Sequence, residues 1–176
     1  MFSMRWLVDG YNVIRRSPEL ASEERVSLEA GRQALCRLLA RAAQSSGDEF
    51  TAVFDGSGAG SAMSGGAGVR VLFSSARERA DQVLARLAVQ GGAVVSNDRE
   101  VRRAAERAGA LSISTDDFLA RVALAPPMVA GMETMDKDEE DEPPRRPKRG
   151  NPRRLSKKER AASRALNRLG PDRRRR

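Results

Sequence analysis

Five short apolar runs recur along the chain, and segments with helical spacing separate most of them. The runs are Met4 to Asp9 (MRWLVD), Phe50 to Asp55 (FTAVFD), Val69 to Phe73 (VRVLF), Ala93 to Ser96 (AVVS) and Leu111 to Ser114 (LSIS). They read as buried strands. Strands that alternate with helices predict an α/β, Rossmann-like architecture, with a mostly parallel sheet and helices on both faces. The second run passes to the third without a helix, so that pair could instead form one antiparallel edge.

The helical segments carry their own punctuation. Residues 22–46 place Val26, Leu28, Leu35, Leu38, Leu39 and Ala42 at helical spacing, with Ser22 as cap and Gly47 as stop. Ser75 and Glu78 form a capping-box pattern for a helix reaching about Gln90 and ending at Gly91-Gly92. A third helix follows Asn97-Asp98, runs to Ala108 and ends at Gly109. Thr115 reads as the cap of a last helix, and Pro126-Pro127 ends the domain. Residues 56–68 hold six glycines in thirteen positions and predict a flexible loop rather than a mobile flap.

The organisation is therefore a folded domain over 1–125, a linker over 126–155 and a basic tail over 156–176. A short helix is predicted within that tail, over 156–169, with the capping pair Ser156/Glu159 and a Gly170-Pro171 stop. Charge follows the same division. Residues 143–176 carry fifteen Lys and Arg against Glu159 and Asp172, whereas residues 133–142 carry seven acids against Lys137. The net charge of +8 thus belongs to the tail, which is the expected polyanion-seeking element. Its expected RNA contacts are Arg145, Arg146, Lys148, Arg149, Arg153, Arg154, Lys157 and Lys158. The acidic run could fold back on this tail and compete with RNA.

Two absences narrow the chemistry. The chain has no histidine, which removes His general bases, Ser-His-Asp catalysis and His-ligated zinc. No lysine precedes Lys137, which removes a P-loop or Schiff-base lysine from the domain. Cys36 is the single cysteine and reads as a small core residue. No signal-peptide pattern or membrane-length apolar run is present, so a cytoplasmic chain is expected. Carboxylates remain as the main catalytic side chains, and their hard oxygens suit Mg²⁺ or Mn²⁺.

Asp9, Asp55 and Asp98 each lie at the carboxyl end of a predicted strand. In a parallel sheet those ends share one edge, where open α/β folds bind ligands. Asp is also common in turns, so each residue alone has a plain structural reading. Asp81, in the second turn of the Ser75 helix, is either a fourth acid of the site or an exposed residue paired to Arg77 or Arg79. Asp116 and Asp117 follow the fifth strand and read better as a helix start. Asn12 and Ser96 are polar neighbours able to orient a metal-bound water or a phosphate, or simply to bond their own turns. Clustered carboxylates need cations, and bound Mg²⁺ or Mn²⁺ would activate water against a phosphodiester. Rival sites lack their residues: there is no G-x-G-x-x-G into a helix, no P-loop and no D-x-D pair after Asp9.

The blocks Leu7-Val8-Asp9-Gly10-Tyr11-Asn12-Val13-Ile14, Val53-Phe54-Asp55-Gly56, Val71-Leu72-Phe73-Ser74, Ala80-Asp81 and Ser96-Asn97-Asp98-Arg99-Glu100-Val101, in this order, resemble the YacP-like NYN domain family. The match spans residues 4–124. The resemblance implies a PIN-like fold and a metal-dependent ribonuclease, in a family whose bacterial members include ribosome-associated enzymes that cleave mRNA. By position it implies Asp9, Asp81 and Asp98 as the metal-binding and catalytic acids, Asp55 as a fourth or supporting one, and Asn12 beside the site. The glycine-rich segment after Asp55 and the acidic and arginine-rich C-terminal stretches depart from that pattern.

The leading expectation is an endoribonuclease with Mg²⁺ or Mn²⁺, RNA as partner, the ribosome as a further partner, and no preference for DNA. The alternative is a non-catalytic RNA- or ribosome-binding protein. A small-molecule phosphohydrolase is a third reading, and it leaves the tail without a role. With 4% aromatic residues, base stacking is not an evident mode of recognition.

Overall fold

A computed structural model describes residues 3–56, 65–75, 77–123 and 156–169. The linker, the acidic run and the basic positions 145, 146, 148, 149, 153 and 154 lie outside the described residues. Five strands form one sheet: β1 (Arg5–Asp9), β2 (Glu49–Phe54), β3 (Val69–Phe73), β4 (Ala93–Val95) and β5 (Leu111–Ile113). Their order is β3-β2-β1-β4-β5. Every pair is parallel, including β2 with β3, where Phe54 stands beside Phe73. The antiparallel alternative is thus not adopted. Gly68, directly before β3, lies against helix α3 (Leu28–Ser46). A Cβ added at Gly68 would stand 2.8 Å from that of Ala43, so only glycine fits this contact.

Alternation along β1 divides the core in two. Trp6 and Val8 point to one face and Leu7 to the other. The first face is covered by α1 (Gly10–Arg16), α2 (Pro18–Val26), α3, α6 (Thr115–Ala123) and α7 (Lys157–Arg168). The second is covered by α4 (Ala80–Ala88) and α5 (Arg99–Arg107). Trp6 and Phe50 stack at 5.9 Å and 9°, and Phe118 packs against both. Each such fully buried side chain is worth about 2 kcal/mol of transfer free energy. Cys36 is buried on α3, as its sequence setting implies.

Four local expectations are corrected. The helix expected over residues 22–46 is two helices, because Ser27 breaks it: its hydroxyl caps Ala30 N at 3.0 Å, while Ser17 and Pro18 begin the preceding helix. Ser22 lies inside α2 and bonds back to the Glu19 carbonyl at 2.7 Å. Ser75 and Glu78 do not form a capping box; they pair backbone to backbone at 3.1 and 3.3 Å, and α4 begins later, at Ala80. Thr115 does not cap α6. Ser114 does, accepting from Asp117 N at 3.1 Å.

Helix α7 has the expected capping box, with Ser156 Oγ accepting from Glu159 N at 3.2 Å. It is not a free tail element. Ala165 and Leu169 are buried in the first core, and Arg168 bonds Asp48 at 2.5 and 3.1 Å. Among the described residues no helix is long and apolar enough to cross a membrane.

Candidate active site

The sheet's carboxyl edge is lined by the polar residue that ends or follows each strand. Asp9 ends β1, and Asp55, Ser74, Ser96 and Ser114 follow the other four. A parallel sheet forces this coincidence, since all its strands point the same way.

Asp9 also begins α1, its Oδ1 accepting from Asn12 N at 3.3 Å. Its Oδ2 accepts from the Ser96 hydroxyl at 2.9 Å. The same Ser96 oxygen accepts from Asp98 N at 3.0 Å. Ser96 is fully buried, so one hydroxyl ties the Asp9 carboxylate to the backbone of Asp98. Asp98 caps α5, accepting from Glu100 N at 2.6 Å and Val101 N at 3.3 Å. Asp55 accepts from Ser74 Oγ at 3.0 Å and from Ala80 N, the first residue of α4, at 2.8 Å. Helix starts thus hold the side chains of Asp9, Asp55 and Asp98 in place.

Burial raises the Asp9 carboxyl above its ordinary range, and the nearby charges of Asp55 and Asp98 raise it further; the Ser96 and Asn12 bonds oppose this. The sequence-derived acids Asp9, Asp55 and Asp98 are therefore brought together. Asp81 sits half-buried in the first turn of α4, where its carboxylate receives Gln82 N at 3.0 Å. It is not among the charges acting on Asp9. Among the described residues, no three Asp, Glu or Cys side chains close on a single metal position.

Asn12 serves structure. Its Oδ1 accepts from Asn97 N at 3.0 Å and from the Thr115 hydroxyl at 2.8 Å, tying the turn after β1 to those after β4 and β5. Asn97 extends the tie, accepting from Thr115 N at 2.9 Å and donating to Asp116 at 2.9 Å. Arg16 pairs with Asp116 at 3.1 Å, which lowers that carboxyl below its usual range. Asp116 is thereby a paired helix-start residue, as its sequence position implies. Sequence reasoning missed Ser74, Asn97 and Thr115 as supports. The only available signal was that each follows a strand.

The Asp9-Gly10-Tyr11-Asn12 block now has a physical reading. A Cβ on Gly10 would stand 2.2 Å from the Phe54 ring, so only glycine lets the first turn of α1 lie on β2. Tyr11 meets that ring edge-on at 5.2 Å.

A family model, the YacP-like NYN domain, matches residues 6–166. The chain belongs to the YacP-like NYN domain family. Its fold is accordingly that of a PIN-like nuclease. Among solved structures, the NYN domain is similar to Rae1 (YacP) from Bacillus subtilis, at 28% identity and a TM-score of 0.58, over 70% of this chain and 74% of that one. A tryptophan-to-leucine mutant of the same Bacillus subtilis protein matches at 28% identity and a TM-score of 0.58, over 68% of this chain and 75% of that one. A comparison with curated proteins returns no match. The family match runs through most of α7, in keeping with that helix's place in the core.

Proposed function

We propose that this NYN domain is a metal-dependent endoribonuclease that hydrolyses RNA phosphodiester bonds. The observation that carries the reading is the Asp9–Ser96–Asp98 junction at the carboxyl edge, with Asp55 close enough to raise the Asp9 carboxyl. Arg16, on the adjacent helix, is engaged by Asp116 and leaves these carboxylates without its charge.

The donor chemistry fits Mg²⁺ or Mn²⁺. Such ions are commonly held by one or two carboxylates, with waters and substrate phosphate completing the shell. Asp9 and Asp98 are the two acids this fold ties together, and they would hold the ion. A bound ion supplies an activated water and charge compensation for the leaving oxygen. The chain's own contribution is positional. Ser96 ties the Asp9 carboxylate to the backbone of Asp98, Asn12 holds the turn that carries Asp98, and Asp55 secures the start of α4, which presents Asp81. The family resemblance assigns Asp81 to the same acid set, and here it would act across water.

RNA would be recruited electrostatically by the basic C-terminal stretch, largely without regard to base sequence. Lys157 is exposed and available for this, whereas Lys158 already pairs with Glu106 at 3.2 Å. The setting would be mRNA decay or RNA processing in the cytoplasm, with the ribosome as a partner and no preference for DNA.

A second reading, a non-catalytic RNA- or ribosome-binding protein, is favoured by one observation: no three acids close on one point among the described residues. Cleavage of a labelled structured RNA in Mn²⁺, Mg²⁺ or EDTA separates the two. Metal-dependent cutting that disappears in Asp9→Asn and Asp98→Asn is the expected result. Intact binding without cutting, in solution and on translating ribosomes, would establish the binder.

A further inference from the structure

Arg32 occupies an unusual place for an arginine on a core-facing helix. It rises from α3 toward the carboxyl edge. Its guanidinium lies 5.0 Å from the centroid of Phe73, 5.6 Å from Phe54 and 5.5 Å from Tyr11. Phe54 and Phe73 are the last residues of β2 and β3, directly before Asp55 and Ser74. Tyr11 stands two residues after Asp9. The three rings therefore hold one cation at the carboxyl edge of the sheet, on the face that α3 covers.

Its polar partners are few. Arg32 Nε donates to the Tyr11 hydroxyl at 3.0 Å, and Nη2 donates to the same oxygen. A guanidinium has five N–H groups, and the remainder find no acceptor among the described residues. No carboxylate there pairs with it, whereas Arg15, which also lies over Tyr11, has Glu24 at 3.8 Å. Arg16, Arg86 and Arg168 likewise have acidic partners. Arg32 is thus a half-buried cation, fixed in orientation by aromatic faces and a hydroxyl, with donors left over. Planar donors of this kind match the oxygens of a phosphodiester.

We propose that Arg32 anchors a backbone phosphate of RNA close to the acidic edge, with Tyr11, Phe54 and Phe73 as the scaffold that holds its guanidinium. This rests on the reading that RNA is the substrate of this edge. Arg32 offsets the repulsion between a polyanion and the Asp9, Asp55 and Asp98 carboxylates, and it acts as a positioning residue rather than a catalytic one. The contact is to the backbone, so it reads no base.

The test uses the full chain and a labelled single-stranded RNA in EDTA, so that binding is read without cleavage. Affinity is followed against salt for the wild type, Arg32→Gln, Arg32→Lys and Tyr11→Phe, with thermal melting of each. The basic C-terminal stretch is common to all, so differences report the anchor. Arg32→Gln is expected to weaken binding about tenfold and to lower the log–log salt slope by about 0.7, the value of one single-strand phosphate. Arg32→Lys should restore the slope, because the charge persists, while binding stays weaker than wild type. Tyr11→Phe should keep the slope and lose a few-fold in affinity. A wild-type slope in Arg32→Gln, or a slope that Arg32→Lys fails to restore, would overturn the proposal and leave Arg32 as packing. Cleavage by the wild type is scored separately with Mn²⁺: a changed slope without any cleavage keeps the anchor and removes the nuclease, and the reverse removes only the anchor.

Discussion

The two edges of the one sheet treat carboxylates in opposite ways. At the amino edge, Asp48 has a fully buried side chain and every need met. It accepts from Met4 N at 2.9 Å, Trp6 Nε1 at 3.1 Å and the Arg168 guanidinium at 2.5 and 3.1 Å. Burial works against its ionised form, yet Arg168 and the other donors more than offset this and hold the carboxyl below its usual range. At the carboxyl edge, Asp9 has one hydroxyl and one backbone donor, and its neighbours are further acids. The first arrangement binds α7 to the sheet. The second gathers like charge at one edge, which is the pattern of a functional site, and under the proposed function a cation would relieve it.

The sharpest way to break this contrast is to remove charge at the carboxyl edge and read chemistry. Asp9→Asn or Asp98→Asn should lower metal-dependent RNA cleavage by about a thousandfold, as loss of a metal-holding acid costs several kcal/mol of transition-state stabilisation. Residual cleavage within tenfold of the wild type would remove these acids from the proposed chemistry.

The next effect belongs to the amino edge. Arg168→Gln leaves a buried carboxylate without its cation and should destabilise the fold by about 2 kcal/mol, discounted because Arg168 is part-exposed. Urea unfolding measures it, and an unchanged midpoint would show that α7 is held by Leu169 and Ala165 alone. The pH dependence has a definite sign. A folded value below the unfolded one adds stability above the ordinary carboxylate range, and that stability is lost as pH falls through the folded value. Wild type should therefore lose stability below about pH 4 more steeply than Arg168→Gln, in which much of that difference is gone.

A smaller effect has the opposite direction. In EDTA, Asp9→Asn should raise the melting temperature by about 3 °C, since asparagine still caps α1 while burial and like-charge repulsion no longer oppose folding. Adding Mg²⁺ should narrow the gap by stabilising only the wild type. A lower melting temperature for the variant in EDTA would mean that the Asp9 charge is structurally satisfied, as at Asp48. Ser96→Ala should destabilise the fold by about 1 kcal/mol and weaken cleavage about tenfold, because the Asp9 carboxylate and the Asp98 backbone N–H lose their shared hydroxyl. Equal activity would show that helix caps alone position them.

Much of the fold was readable because the signals are local. Apolar runs closed by Asp or Ser announced the strands, Gly47 and Gly109 marked helix ends, and Ser156/Glu159 marked the start of α7. The site was readable in part for the same reason: acids at strand ends share an edge once the strands are parallel. The misreadings came from residues whose local chemistry permits two outcomes. Ser75 and Glu78 satisfy a capping pattern, yet their backbones pair in a tight loop because Asp55 reaches across to receive Ala80 N and sets where α4 begins.

The order of residues was enough to establish the α/β alternation, the family and the three acids that line one edge, because each follows from periodicity or from a contiguous motif. Three-dimensional packing had to settle that β2 and β3 run parallel, that α7 closes the core through Asp48, and that Arg32 meets three rings from three elements. The cause is sequence distance. Asp48 and Arg168 are separated by 120 positions and Ser96 from Asp9 by 87, and no local preference records which partner will satisfy a buried charge.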